Sequence, residues 1–595
     1  MKKPVPVFDA KLFKAFWQED GNASEEAPAW AQWRTKIRGS FPSPYRQKPD
    51  PLAKELAEAI RKLDDLKPER GGHGFLGIGP TPPKGPDYAT AAKAELRQHT
   101  ESVNQVVDES IKLFHGLPIW NHPLVMPNVI PPANIAAIIA ATLADVYSPN
   151  IIEGDYSWNV ELAELESAAM VGNLIGWGIA ESEEDEGAGG LFTFGGTGCY
   201  FYGLKYALTR VLGEASRNFG VRTDAKLLVS QQGHYCMKNS TDWVGLGMDN
   251  IITIKTDLKT NAMDIVALEQ AMKKLHARGI PIASIVCTMG STDTNAMDDV
   301  AAVRQLIDAY PNPEGYGRAL LYCDAVIGWS WLAFCNYDFG VNPLGFTAEV
   351  LETIKNNYAM IKEVKHADAI GCDFHKVGWA PYNCSLFMYQ SRNEFTQLLK
   401  RPTSSYLPPH TTYNPGDYTL EVSRSGNYAM AGWATLKFLG HEGFQAILGG
   451  ILEMQLYLRH LLEHEETMVC VNADDHCLVT LYRVYPRGVN AKKQYYQELI
   501  DPNFQDQLIE HNQLQANIGE KMWEWFRDGK MHHQHYAPYI NYSTGFRPTA
   551  YNRDESDENA MVFALKSFPM NVNIDRASMD TVILMSLAAR DELLA

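Results

Sequence analysis

The sequence predicts an α/β fold, with a mostly parallel sheet flanked by helices and a smaller C-terminal α+β domain. Two observations lead there. Between residues 227 and 376, short apolar runs alternate with amphipathic stretches of helical period, the pattern of strand–helix units covering both faces of a parallel sheet. Past residue 420 the text turns to long helical patterns with isolated strand-like runs.

Taken in order, residues 1–90 read as an irregular N-terminal extension. Proline and glycine cluster at Phe41-Pro42-Ser43-Pro44 and from Gly71 to Pro83, with one amphipathic helix at about Leu52–Leu66 between them. Gly77-Ile78-Gly79 lacks a strand–helix frame and reads as a turn. The large domain, 91–420, opens with helical patterns at Ala91–Leu113, Ala133–Tyr147 and Glu161–Trp177. The acidic run Glu181–Glu186 reads as a solvated loop. Strands follow at Leu227–Ser230, Ile251–Ile254, Ile282–Thr288, Ala319–Asp324 and just before Lys376, with helices near Asp264–Arg278 and Asp298–Ala309. The small domain, 421–595, carries helices at Ala429–Leu439 and His441–His464, strands at Cys477–Tyr485 and Met561–Lys566, and a terminal helix.

Composition narrows the function classes. The chain has 595 residues, 45% of them hydrophobic and 21% charged, which suits a globular protein with a large core. A formal net charge of −18 argues against a nucleic-acid binder with a broad basic face. No apolar run is long enough for a bilayer, and Met1-Lys2-Lys3-Pro4 is not followed by an apolar signal region. Nine scattered cysteines without a CxxC pair suggest neither a disulfide scaffold nor a zinc site, so no metal is expected. His532-His533-Gln534-His535 lacks carboxylates in a helical frame and reads as a polar segment. A cytoplasmic enzyme acting on a small molecule fits best.

In an open parallel sheet, ligands bind beyond the carboxyl ends of the strands, and four polar signals fall there. Phe194-Gly195-Gly196-Thr197-Gly198 opens a helix and lets backbone N–H groups approach an anion. His234 follows a strand and offers a flat ring for stacking. Asp324 ends the strand Leu320–Cys323, where a carboxylate can hold a proton on a pyridine nitrogen. Lys376, in Asp373-Phe374-His375-Lys376, sits past a buried-looking strand, where desolvation favours the neutral amine that condenses with an aldehyde. Anion cradle, stacking ring, acid and Schiff-base lysine together describe a site for pyridoxal 5'-phosphate.

The order of these elements resembles the group II pyridoxal-phosphate-dependent amino-acid decarboxylases, over about residues 95–595. The resemblance rests on Phe194–Gly198, Gln232–His234, Gly290-Ser291-Thr292 with Asp298, Asp324-Ala325 and His375-Lys376. It implies fold type I of the pyridoxal enzymes and decarboxylation of an L-amino acid in a homodimer with the active site at the interface. A related lyase or an aldehyde synthase is the alternative, and a catalytically silent binding homologue a remoter one. It further implies that Lys376 anchors the cofactor, that Gly196, Thr197 and His375 hold its phosphate, that His234 stacks on the ring and Asp324 pairs with its nitrogen, and that Thr292 supports the ring or its 3-oxygen. Tyr406 takes the place of a loop tyrosine that donates a proton, with Tyr413 its rival. His122 and Asn128 fall where relatives line the substrate pocket. Two departures stand out. Relatives often carry asparagine where Asp373 stands, and a carboxylate there repels a phosphate unless protonated or turned away. The arginine that relatives place near Val562 to engage the substrate carboxylate is missing, leaving Lys566, Arg483 and Arg487 as the nearby cations.

Overall fold

A computed structural model describes the chain except for residues 1–16, 18–20, 78–86, 183–184, 222–223, 402–411 and 473–477. The backbone divides into two compact units, residues 1–118 and 119–595. In the first, the helix Pro51–Asp64 starts where Asp50 accepts the Leu52 N–H, and Lys62 pairs with Asp108 on the helix Val103–Lys112 at 2.6 Å. The helix expected over 91–113 is thus shorter. Ser102 and Gln105 form a reciprocal capping box that starts it at Val103.

The second unit is built on a seven-stranded sheet. Its strands are β1 (Gly189–Thr193), β2 (Lys226–Ser230), β3 (Ile251–Ile254), β4 (Ile282–Thr288), β5 (Leu320–Asp324), β6 (Ala369–Asp373) and β7 (Ser385–Tyr389), in the spatial order β1-β7-β6-β5-β4-β2-β3. Neighbours from β6 to β3 pair in parallel, while β7 runs antiparallel to both β6 and β1. Every residue of β4, β5, β6 and β7 is buried, and β4, β5 and β6 read as continuous apolar runs rather than alternating ones. The mostly parallel sheet follows the sequence expectation. β1 and β7 had no counterpart in it, because a glycine-led strand and one of five residues carry little periodic signal.

Two of the helices between strands begin on acidic caps. Asp264 accepts the Val266 and Ala267 N–H groups at the start of Ile265–Ala277, and Asp299 accepts that of Ala302 at the start of Val300–Ala309. Next to Asp299, the buried Asp298 takes the N–H groups of Met263 and Thr288, each at 2.7 Å, and so pins the turn beyond β4. Burial pushes its carboxyl up to about 7.

The C-terminal part holds a four-stranded antiparallel sheet of β8 (Met468–Cys470), β9 (Thr480–Val484), β12 (Asn541–Pro548) and β13 (Met561–Ser567), in the order β12-β13-β9-β8. A small ribbon, β10 (Met531–His532) with β11 (His535–Tyr536), contains the histidine-rich run; there His532 pairs with Asp528 and His533 with Glu592. Among the described residues, no helix is long and apolar enough to cross a membrane.

Candidate active site

The sheet delivers its polar residues to one edge. β1 leads into Gly195-Gly196-Thr197, β2 into His234 and β4 into Thr292; β5 ends in Asp324, and β6 ends in Asp373 before Lys376. Register aligns them, since Thr288 faces Asp324, Asp324 faces Gly371, and Asp373 faces Ser385 at the start of the antiparallel β7.

At the cradle, the helix Gly195–Leu212 begins with Gly195 at φ +88°, a left-handed conformation that L side chains rarely adopt. A Cβ on Gly196 would lie 3.0 Å from Val326 and 3.2 Å from both carboxylate oxygens of Asp373, so only glycine leaves this turn open. Thr197 stands half-buried in the first turn.

Lys376 is tied to Asp373, Nζ to Oδ2 at 3.0 Å. Burial disfavours its ammonium form, but the charge and hydrogen bond of Asp373 outweigh that penalty, and its pKa is raised above the ordinary lysine value. The expectation that desolvation would release the proton is therefore corrected. A neighbouring carboxylate, invisible to a solvation argument, holds the proton on. Asp373 itself also takes the Ser385 hydroxyl at 2.5 Å and lies 3.5 Å from His375 Nε2, while Trp329 donates its indole N–H to the Asp373 carbonyl. His375 donates Nδ1–H to the Cys384 carbonyl at 2.9 Å and its ring packs on Tyr382; burial lowers its pKa.

Asp324 is buried, with Oδ1 lacking any hydrogen-bond partner among the described residues. Desolvation raises its carboxyl to about 6, against the opposing pull of Lys376. His234 is half-buried, accepts the Cys236 N–H on Nδ1 at 3.2 Å, and is lowered to about 4 by desolvation and by the Lys376 charge. It is therefore a neutral ring at neutral pH.

The remaining expected residues divide. Thr292 is half-buried in the turn after β4, beside Asp293. His122 accepts the Leu124 N–H and Asn128 that of Val129; their segment continues to Asn134, which donates to the Trp379 carbonyl three residues beyond Lys376. Tyr406 lies outside the described residues. Tyr413 is not a free loop tyrosine: it is buried and donates to Glu164 at 2.5 Å, because the buried Arg424–Glu164 pair recruits its hydroxyl. The cations proposed for the missing arginine are engaged elsewhere. Arg483 is fully buried against Glu498, Tyr485, Asn512 and the Phe563 carbonyl, Arg487 pairs with Asp591 at the surface, and Lys566 pairs with Asp293 at 2.9 Å. Ser385 and the Lys376–Asp373 pairing were missed from sequence; a serine opening an unread strand carried no signal.

These residues fit pyridoxal 5'-phosphate on two structural counts. Asp324 Oδ1 is, among the described residues, an unpartnered buried acceptor, and the Gly195-Gly196 turn puts no side chain of its own across the start of a helix, where an anion is favoured. Comparison with known proteins agrees. The family model described as the pyridoxal-dependent decarboxylase conserved domain matches residues 86–330 and 352–484. The L-2,4-diaminobutyrate decarboxylase of Acinetobacter baumannii is 22% identical over 436 residues, covering 70% of this chain and 77% of that protein. Two solved structures share the fold: mouse CSAD in its apo form, 16% identical with a TM-score of 0.70 over 91% of this chain and 99% of the other, and Oryza sativa TDC with PLP and tryptamine, 15% identical with a TM-score of 0.71 over 93% and 100%. The strand-end constellation and the extent of the family match lead to one conclusion: the chain belongs to the pyridoxal-dependent decarboxylase family and is a pyridoxal-phosphate-dependent amino-acid decarboxylase.

Proposed function

We propose that the chain removes the α-carboxyl group of an L-amino acid, releasing the corresponding amine and carbon dioxide, with Lys376 as the covalent anchor of the cofactor. The observation that carries this is the convergence of Lys376, neutral His234 and the unpartnered Oδ1 of Asp324 at the carboxyl ends of β6, β2 and β5, on one edge of the sheet. Pyridoxal 5'-phosphate, when bound, supplies a pyridinium ring that accepts the electrons left behind as carbon dioxide departs.

The protein's part is binding and proton placement. Gly196, Thr197 and His375 would hold the phosphate, and Asp324 would share a proton with the ring nitrogen, for which a carboxyl raised to about 6 is well matched. His234 would stack on the ring without adding charge, and Thr292 would support the ring or its 3-oxygen. His122 and Asn128 would line the substrate side, and Tyr406 would be the proton donor for the α-carbon. Residues 91–420 form the cofactor domain and 421–595 the small domain, with 1–90 an extension.

The active unit is a homodimer in the cytoplasm with the site at the subunit interface. Supporting this, Ile135, Ile139, Leu143 and Tyr147 on the helix Ile135–Tyr147 leave an apolar face exposed. The relatives' names include diaminobutyrate, tyrosine and aspartate decarboxylases; for this chain larger or aromatic side chains are favoured, because no residue of the sequence clearly marks a second carboxylate site. A product screen of cofactor-loaded protein against the common L-amino acids, with Lys376→Ala as control, tests the proposal. An amine lighter than its parent by one carbon dioxide supports it, while an aldehyde with peroxide, or no product at all, refutes it.

A further inference from the structure

The phosphate end of the site contains an anion of its own. Asp373 is 1% exposed, and its two carboxylate oxygens lie 3.2 Å from where a Cβ on Gly196 would stand, against the opening turn of the helix Gly195–Leu212. That is where a helix best receives negative charge. The carboxylate is held there from two sides, by Lys376 Nζ at 3.0 Å and by the Ser385 hydroxyl at 2.5 Å, with His375 Nε2 standing 3.5 Å away. It is thus not turned away from the cradle. Burial lowers the pKa of His375, which keeps that ring from adding a positive charge, so Lys376 is the fixed cation that balances Asp373.

We propose that Asp373 is a built-in competitor of the cofactor's phosphate. In the cofactor-free protein it fills the anion position at the helix start and neutralises Lys376; on loading, the phosphate must settle beside a buried carboxylate, and the anchoring amine must be drawn away from its partner. The consequence is a cofactor held less firmly than the cradle would otherwise allow, exchanging with the pool rather than retained for the life of the enzyme. This inference rests on the cofactor site proposed above.

Equilibrium titration of the cofactor-free full-length protein and of Asp373→Asn, each with pyridoxal 5'-phosphate, with pyridoxal and with inorganic phosphate, tests it. The asparagine keeps the size and the hydrogen bond to Ser385 while removing the charge. The expected result is that the substitution tightens pyridoxal 5'-phosphate by about tenfold or more, equivalent to about 1.4 kcal/mol, and changes pyridoxal far less. Equal gains for both ligands would mean that Asp373 acts only through Lys376 and would overturn the competition. Unchanged or weaker binding of the phosphorylated form would overturn it as well. Should the variant fail to fold, wild type alone decides: inorganic phosphate should leave its thermal midpoint unmoved, and a clear rise would refute an occupied anion position. If pyridoxal 5'-phosphate binds neither protein, the cofactor site itself falls and the inference with it, an outcome distinct from binding without discrimination.

Discussion

Replacing Asp324 by asparagine separates two roles that a strand-end aspartate can have. The side chain is buried with one oxygen unpartnered, and its carboxyl is raised from the ordinary 3.8 to about 6, first by desolvation. A group that binds its proton more tightly folded than unfolded contributes most below its unfolded pKa and loses that contribution as pH rises through its folded value. The window is therefore about 3.8 to 6, and a shift of about two units corresponds to about 3 kcal/mol of destabilisation once Asp324 is ionised. The substituted asparagine carries no such charge. The cofactor-free variant should melt a few degrees above wild type at about pH 8, and the gap should close towards about pH 4, as the wild-type carboxyl protonates. Cofactor binding should go the other way, with weaker affinity and a kcat reduced about 10²–10³-fold. Thermal scans of cofactor-free protein across pH, paired with cofactor titration, read both arms. A variant less stable than wild type at neutral pH would refute the reasoning, because it would make Asp324 an ordinary capping carboxylate whose charge the fold uses.

Other consequences follow from the same geometry. Reductive trapping with borohydride should add cofactor mass to wild type and none to Lys376→Ala; label on the variant would exclude Lys376 as the anchor. Because His234 is lowered to about 4 by desolvation and Lys376, its NMR-monitored titration in cofactor-free protein should show no transition between about pH 6 and 8, and one near 6.5 would contradict its neutral role. Arg483→Met removes one partner of the buried Glu498, leaving His511 as the other, and should destabilise by roughly 3 kcal/mol without raising KM in the folded fraction; a large KM rise would restore Arg483 as the substrate's carboxylate grip. Arg424→Leu strands Glu164 in the same way and should cost a similar roughly 3–5 kcal/mol in denaturant unfolding, an unchanged midpoint contradicting the ion-pair account.

Legibility differed sharply along the chain. β4 and β5 were read almost to the residue, because strands buried on both faces are continuous apolar text and end in polar residues. The residues after those strands were legible for the same reason. β7 was not, and with it went Ser385, whose hydroxyl fixes Asp373 from a strand far along the sequence from the cradle it serves. Tyr413 shows the opposite failure: a proline- and glycine-containing neighbourhood suggested a mobile loop, while the buried Glu164–Arg424 pair, drawn from distant elements, captures its hydroxyl.

The sequence by itself determined the sheet class and placed Lys376, His234 and Asp324 at or just beyond strand ends, since these placements depend on local periodicity and on residues adjoining apolar runs. The tertiary structure alone decided their electrostatics. Whether Lys376 loses or keeps its proton depends on a carboxylate 3.0 Å away, and whether Arg483 meets substrate or Glu498 depends on the packing of β9 within the small sheet. Burial and charge pairing act through space over a few ångströms, and a linear pattern encodes neither distance nor dielectric.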